Sequence, residues 1–216
     1  MAHAEFTSER REPGRSTSRE RQAEQRRIQL IDIALDLFSE KGVDGATIKD
    51  IAAQAGVAQG LVYHYFDSKE ALLLAVIERH GPIEPLRALL AQVFSQSARE
   101  GLSTLAHGAY HIMSARKKLL RVVLREALLR PEMRETMMQV RAQILAVVGA
   151  YLESRVAQGE LRPHNTEVAM QTLAATVASL VLGGFPPDPF IDQLVEMMVK
   201  GLTASPADSG QERVDG

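Results

Sequence analysis

The sequence predicts an all-α protein. Apolar residues recur at three- and four-residue steps along most of the chain, Gly and Pro punctuate those runs, and no apolar–polar alternation exceeds four residues. At 216 residues, 45% hydrophobic and 24% charged, the chain can supply one or two domains with a substantial core. It contains no cysteine, which removes disulfides, thiolate metal ligands and a thiol nucleophile. The N-terminus lacks the apolar run of a secretory leader, so a cytoplasmic protein is the simplest expectation.

The elements follow in order. Residues 1–25 are rich in Arg, Glu and Ser, include Pro13 and Gly14, and show no apolar period; a flexible arm is expected. From Arg26 onward, Ile28, Ile31, Ala34, Leu35 and Phe38 fall on one helical face, and Gly42 ends that helix. "TIKD" at 47–50 is a capping box, with Ile48, Ile51, Ala52 and Ala55 as the buried face of the helix it opens. Gly56 interrupts, a short helix runs from about Ala58 to Tyr65, and a longer one begins after Asp67 or Ser68. "RHGPIEP" is a break. Helical spacing then continues to Ala127, with interruptions expected near Gly101 and Ser114. Pro131 starts a long helix reaching about Gly159, "GELRPHN" is a turn, and two last helices span 165–184 and 188–203. A disordered tail is expected over residues 204–216. The most apolar stretch, 168–185, holds Gln171, Thr172 and Thr176 and ends in Gly-Gly, so a buried or interface helix is expected rather than a membrane span.

Two short helices joined at Gly56 make a helix-turn-helix arrangement, with small Ala52 at the crossing and Val57 and Val62 as core plugs. The stretch "AGVAQGLVYHYF" concentrates Tyr63, Tyr65 and Phe66, three of the ten Phe and Tyr, around His64. Val62 and Phe66 lie about one turn apart and face inward, while Tyr63 and His64 project elsewhere with polar tips suited to phosphates. The segment "ALDLFSEKGVDGATIKDIAAQAGV" followed by "GLVYHYFDSKEALL" resembles the DNA-binding headpiece of the TetR family of bacterial transcription regulators.

That resemblance implies a DNA-binding domain over 26–72 and a helical effector-binding and dimerisation domain over 73–203. It implies a repressor that holds a double-stranded, palindromic operator as a homodimer and is released by a hydrophobic or amphipathic small molecule, with no cofactor and no catalysis. Thr47, Tyr63, His64 and Lys69 become backbone contacts, Gln59, Gly60 and Tyr63 face the bases, and Lys49 and Leu61 complete the DNA-facing set. Two positions depart from the family: Ala58 cannot cap the second helix, and Leu61 replaces a smaller or hydroxylated residue, leaving only a thymine methyl to meet.

Charge is a counter-argument. The net charge is −2, and the first seventy residues hold ten Lys and Arg against twelve Asp and Glu. Arg10, Arg11, Arg15, Arg19, Arg21, Arg26 and Arg27 nevertheless crowd ahead of the first apolar helix; they are either a DNA-tracking arm or a solvated tail.

In the larger part, Ala175, Ser179 and Gly183 form a small-residue row that, with Phe190, Leu194, Met197 and Met198, suits a four-helix dimer interface or burial within one subunit. Phe94, Tyr110, Met113, Met137, Met138 and Met170 are candidate effector-lining residues, each also suited to ordinary core. His107 and His111 stand at i, i+4, but no third ligand follows at a telling spacing, and no metal is expected. Arg116, Lys117, Lys118, Arg121 and Arg125 make a basic face, solvated or turned toward an anionic effector. The alternative function is a helical small-molecule- or lipid-binding protein that does not read DNA.

Overall fold

The computed structural model describes residues 18–203, without the side chain of residue 132. Among these residues ten helices account for the fold: α1 (Ser18–Gly45), α2 (Ile48–Ala55), α3 (Gln59–Tyr65), α4 (Lys69–His80), α5 (Ile83–Val93), α6 (Ala98–Ala115), α7 (Lys117–Leu129), α8 (Pro131–Ala157), α9 (Thr166–Gly183) and α10 (Phe190–Leu202). The one extended pairing among them is an isolated antiparallel bridge between Leu161 and Thr203. The expected tail at 204–216 and residues 1–17 of the expected arm lie outside the described residues.

The helix boundaries have local causes. Gly42, at φ 75°, breaks the helical path of α1, and the Arg125 guanidinium of α7 lies over it, 2.5 Å from where a Cβ would stand. Thr47 caps α2: its Oγ1 accepts the Asp50 N–H at 3.1 Å while Asp50 accepts the Thr47 N–H at 3.0 Å. Gly56 closes α2 in the left-handed conformation, returning its N–H to the carbonyls of Ala52 and Ala53. Ser68, Ser97 and Asn165 cap α4, α6 and α9 through their side chains.

Two boundaries differ from expectation. The first helix begins at Ser18, so residues 18–25 of the expected arm are helical. Their Arg, Glu and Gln are adequate helix formers but bury nothing, which leaves no apolar period to read. The interruption expected at Gly101 falls instead at 94–97, and Gly101 sits buried inside α6. It is glycine because a Cβ there would stand 1.8 Å from the Tyr151 hydroxyl, which donates to the Ser97 carbonyl. The Ser97–Glu100 capping box is what starts α6.

Two hydrophobic clusters fill the molecule. One gathers Leu30, Ile31, Phe38, Ile51, Val62, Phe66, Leu72 and Val76 from α1–α4, and it also takes in Leu119 and Val122 of α7 and Met133 of α8. The other is formed by α5, α6, α8, α9 and α10 around Leu90, Leu102, Tyr151, Leu152, Val177 and Ile191. By length and composition α9 is apolar enough to cross a membrane, but Met170, Leu173, Val177, Leu180 and Val181 are buried in this second cluster.

The start of α3 lacks a side-chain cap. Ala58 holds the extended backbone of an N-cap (φ −69°, ψ 144°) but offers no side-chain acceptor. Ala58→Ser should therefore stabilise the fold by about 1 kcal/mol, read as a higher denaturant midpoint at unchanged m-value.

Candidate nucleic-acid interface and ligand cavity

The short helix α3 has only Val62 buried along its length, and Phe66 just beyond it is 5% exposed. Both anchor α3 on the headpiece core, and the Arg27 guanidinium stacks 5.4 Å from the Phe66 ring centroid. Gln59, Gly60, Tyr63 and His64 are all exposed on the far side, Tyr63 by 49%. His64 meets the Tyr65 ring edge-on, which sets its direction without burying it. A Cβ added at Gly60 would meet no atom within 4 Å, so nothing in the chain itself demands glycine there.

The flanking polar residues converge on the same rim. Thr47 spends one lone pair on the cap and keeps its O–H to donate. The Lys69 Nζ reaches the Ala46 carbonyl at 3.2 Å, and that of Asp44 at 3.5 Å, and so sits beside the start of α2 with donor capacity to spare. Lys49 is exposed on the first turn of α2. Leu61 differs from the rest: it is half-buried in an open groove shared with Tyr65 and α1, and so stands to one side of the exposed face. This is one physical use for a leucine at that position.

A cavity of about 300 Å³ lies between α5, α6, α7, α8 and α9. Its wall is apolar except for Arg116 and Arg141. Met113, Met137 and Met170 line it. Phe94, Tyr110 and Met138 do not: Phe94 stacks edge-on against Tyr151 outside it, the Tyr110 hydroxyl donates to the Phe185 carbonyl, and Met138 is 57% exposed. Period alone places these residues on helices; which face turns inward depends on how α6 and α8 are rotated against α9. Ile144, Leu120 and Val123 were not singled out in the sequence, being ordinary aliphatics without distinguishing signal.

The basic face divides. Lys118 pairs with Asp36 of α1 at 2.6 Å, Arg125 covers Gly42, and Arg116 faces the cavity. The Arg116 Nε is buried without a hydrogen-bond partner, and no carboxylate pairs with this side chain among the described residues. Arg141 by contrast is held by Glu167 at 2.7 Å. Close by, Arg130 joins α8 to the headpiece by contacting Glu126 at 2.9 Å, Glu70 at 3.7 Å and Asp44.

Cavity and headpiece are not separate. Leu119, Val123 and Met137 all line the cavity; Leu119 is also part of the headpiece core, and Val123 and Met137 pack against it.

The headpiece segment, residues 30–76, matches the bacterial regulatory proteins of the tetR family, and residues 95–202 match the tetracyclin repressor-like C-terminal domain. The chain belongs to the TetR family. The transcriptional repressor KstR2 of Rhodococcus jostii is 50% identical to it over 48 residues, 22% of this chain and 24% of KstR2. The fatty acid metabolism regulator protein of Bacillus subtilis is 25% identical over 187 residues, 81% of this chain and 94% of the relative. The crystal structure of FadR from Bacillus subtilis with stearoyl-CoA has the same fold, with a TM-score of 0.68 at 24% identity, covering 81% of this chain and 98% of that one. The chain thus spans about a quarter of the length of KstR2 but nearly all of the fatty acid regulator. TetR-family proteins bind DNA through the headpiece and small molecules through the C-terminal helices.

The TetR-family candidates for the dimer surface fall into two groups. Ala175, Ser179, Phe190 and Met197 are exposed, the last two by 52% and 70%. Leu194 and Met198 instead pack partly against the chain's own second cluster. Gly183 has an internal reason to be small, since a Cβ there would come within 2.4 Å of the Phe185 ring.

The two histidines separate. His111 is exposed and meets Tyr110 edge-on, whereas the His107 Nε2 lies 3.0 Å from Asp188 and 3.5 Å from Asp192. Its Nδ1–H donates to the Ser103 carbonyl at 3.0 Å. Burial alone would lower the His107 pKa, but the hydrogen bonds to Asp188 and Ser103 and the charges of Asp192 and Asp188 together raise it above the ordinary value. The contact ties α6 to the start of α10. A raised folded-state pKa means that this stabilisation is complete below the unfolded value and is lost as pH rises through the folded one. Thermal midpoints should fall between about pH 6 and pH 8 in the native chain, and His107→Gln should remove that component of the slope.

Proposed function

We propose that this TetR-family protein is a homodimeric transcriptional repressor whose α3 reads the major groove of a near-palindromic operator. The observation that carries this reading is the polar rim of Thr47, Gln59, Gly60, Tyr63, His64 and Lys69 around a helix that its own core anchors on one side only. Gln59 offers a bidentate match to adenine, and Thr47, Tyr63, His64, Lys49 and Lys69 serve the phosphates. Open space at Gly60 lets the helix approach the base edges closely. A second copy meets the exposed face of α9 and α10 at Ala175, Ser179, Phe190 and Met197, placing two α3 helices on successive grooves.

The effector we propose is an amphipathic acid or acyl ester. Its apolar part fills the cavity and its anionic part meets Arg116, whose charge has no carboxylate partner among the described residues. The names of the relatives support this class, since one regulates fatty acid metabolism and FadR holds stearoyl-CoA. Filling the cavity presses on Leu119, Val123 and Met137, which transmit the change to the headpiece because they pack there too.

Gly60→Ala separates DNA contact from folding. The variant should fold at least as stably, because alanine favours helix and meets no neighbour, yet bind duplex DNA from the protein's own upstream region at least about tenfold more weakly. Unchanged affinity in a gel-shift titration, or sequence-independent binding by the native chain, would overturn the regulator reading. For the effector, Arg116→Gln should weaken oleate binding by about tenfold to a hundredfold while leaving binding of the matching neutral alcohol unchanged. Equal losses for both ligands would contradict the assigned charge contact.

A further inference from the structure

The helix α6 has two working faces. Leu105, Ala109, Ile112 and Met113 wall the cavity, and at about 100° per residue His107 falls on the opposite side. There it meets the start of α10, where Asp188 and Asp192 stand four residues apart. The His107 Nε2 lies 3.0 Å from an Asp188 oxygen and 3.5 Å from an Asp192 oxygen, and the three ligand-capable atoms all fall within 4.8 Å of one another. Around a tetrahedral ion with bonds of about 2.0–2.1 Å, neighbouring ligand atoms stand about 3.3 Å apart, so the trio already has nearly the span an ion requires. The ring is oriented from behind. A carbonyl can only accept, so Ser103, at 3.0 Å, fixes the proton on Nδ1 and aims Nε2 at the two carboxylates. Backbone bonds place the aspartates: Ile191 N–H donates to the Pro187 carbonyl at 2.8 Å, and Gln193 N–H to the Pro189 carbonyl at 3.1 Å. Ile191, between them, is fully buried, and the Tyr110 hydroxyl holds the approaching loop by the Phe185 carbonyl at 2.9 Å.

Charge decides what belongs at the focus of these atoms. Among the described residues no Lys or Arg pairs with Asp188 or Asp192, and His107 is the partner of both. A proton on Nε2 points at one carboxylate only and leaves the trio with a net negative charge. A divalent cation contacts both carboxylates and leaves none. We propose that His107, Asp188 and Asp192 bind a divalent first-row transition ion that clamps α6 to α10. One imidazole and two carboxylates, without thiolate, suit Zn²⁺, Ni²⁺ or Mn²⁺, whereas Mg²⁺ and Ca²⁺ prefer oxygen ligands throughout. The ion takes the place of any proton on Nε2, and water completes its shell. The clamp joins the helix that walls the cavity to the helix that exposes Phe190 and Met197, and it lies outside the cavity itself. The spacing of His107 and His111 gave no hint of it, because the two ligands that join His107 come from the far end of the chain.

The test needs no DNA and no effector. The full chain is treated with chelator, desalted and titrated with Zn²⁺ by calorimetry at about pH 7.5, where the imidazole is available as a ligand. It should take up one ion per chain, and its thermal midpoint should rise by about 5 °C at a hundredfold excess over Kd. Mg²⁺ at the same concentration should leave the midpoint where it was. The Asp188→Asn/Asp192→Asn variant changes two exposed side chains. It should keep the native helical circular dichroism, bind Zn²⁺ at least about a hundredfold more weakly and lose the thermal shift. His107→Gln should give the same loss from the α6 side, should the double substitution disturb the start of α10. No uptake by the native chain, an equal shift with Mg²⁺, or uptake undiminished in either variant (an adventitious ion only) overturns the site. None of these outcomes touches the repressor reading, which stands or falls on DNA binding.

Discussion

Leu119, Val123 and Met137 each serve two surfaces, and the rest of the molecule depends on that double use. They face the headpiece core on one side and the apolar cavity on the other, so neither volume can change without the other registering it. Close-packed interiors transmit displacement in this way because they have little room to absorb it. The ion pairs at the same seam act alongside the packing. Lys118 with Asp36, and Arg130 with Asp44, Glu70 and the buried Glu126, tie α7 and the start of α8 to the headpiece at points the aliphatic contacts do not reach.

This shifts attention from α4 to α7. The chain passes between the two parts through α4, which makes α4 the obvious lever on connectivity alone. Its end is indeed pinned, since Arg79 and His80 both reach Asp32 at about 3 Å. But α7 runs along α1, contributes Leu119 and Val122 to the headpiece core, and carries Arg125 over the break at Gly42. An element packed on two bodies couples them through area as well as through a covalent joint.

The headpiece was legible in the sequence because its instructions are local. A capping box needs only Thr47 and Asp50 three apart, a left-handed turn needs only Gly56, and the inward face of α2 is set by helical period. The cavity was not legible in the same way. Met113, Met137 and Met170 face it while Met138, next to one of them, points to solvent, and that choice is made by helix rotation rather than by residue type. The helical conformation of residues 18–25 was not legible for a different reason: a helix that buries nothing leaves no apolar period. The start of α6 was legible in principle, as Ser97 and Glu100 spell a capping box, but Gly101 beside it carried the stronger conventional signal for a break.

Ala58 and Leu61, the two departures from the family pattern, take on different meanings once placed. Ala58 lacks the acceptor an N-cap uses, so α3 is held less by its own first turn than by Val62, Phe66 and the Arg27 stack. A recognition helix anchored mainly by its inner face has latitude to adjust its outer end against DNA. Leu61 lies on the side of α3 that faces Arg26 and Gln29 of α1 across an open groove, and so is half-buried where Gln59, Tyr63 and His64 are exposed. The two substitutions thus concern opposite ends of one requirement: a seven-residue helix must be fixed firmly enough to present Gln59, Tyr63 and His64 together, yet contribute almost nothing to the core beyond a single buried valine.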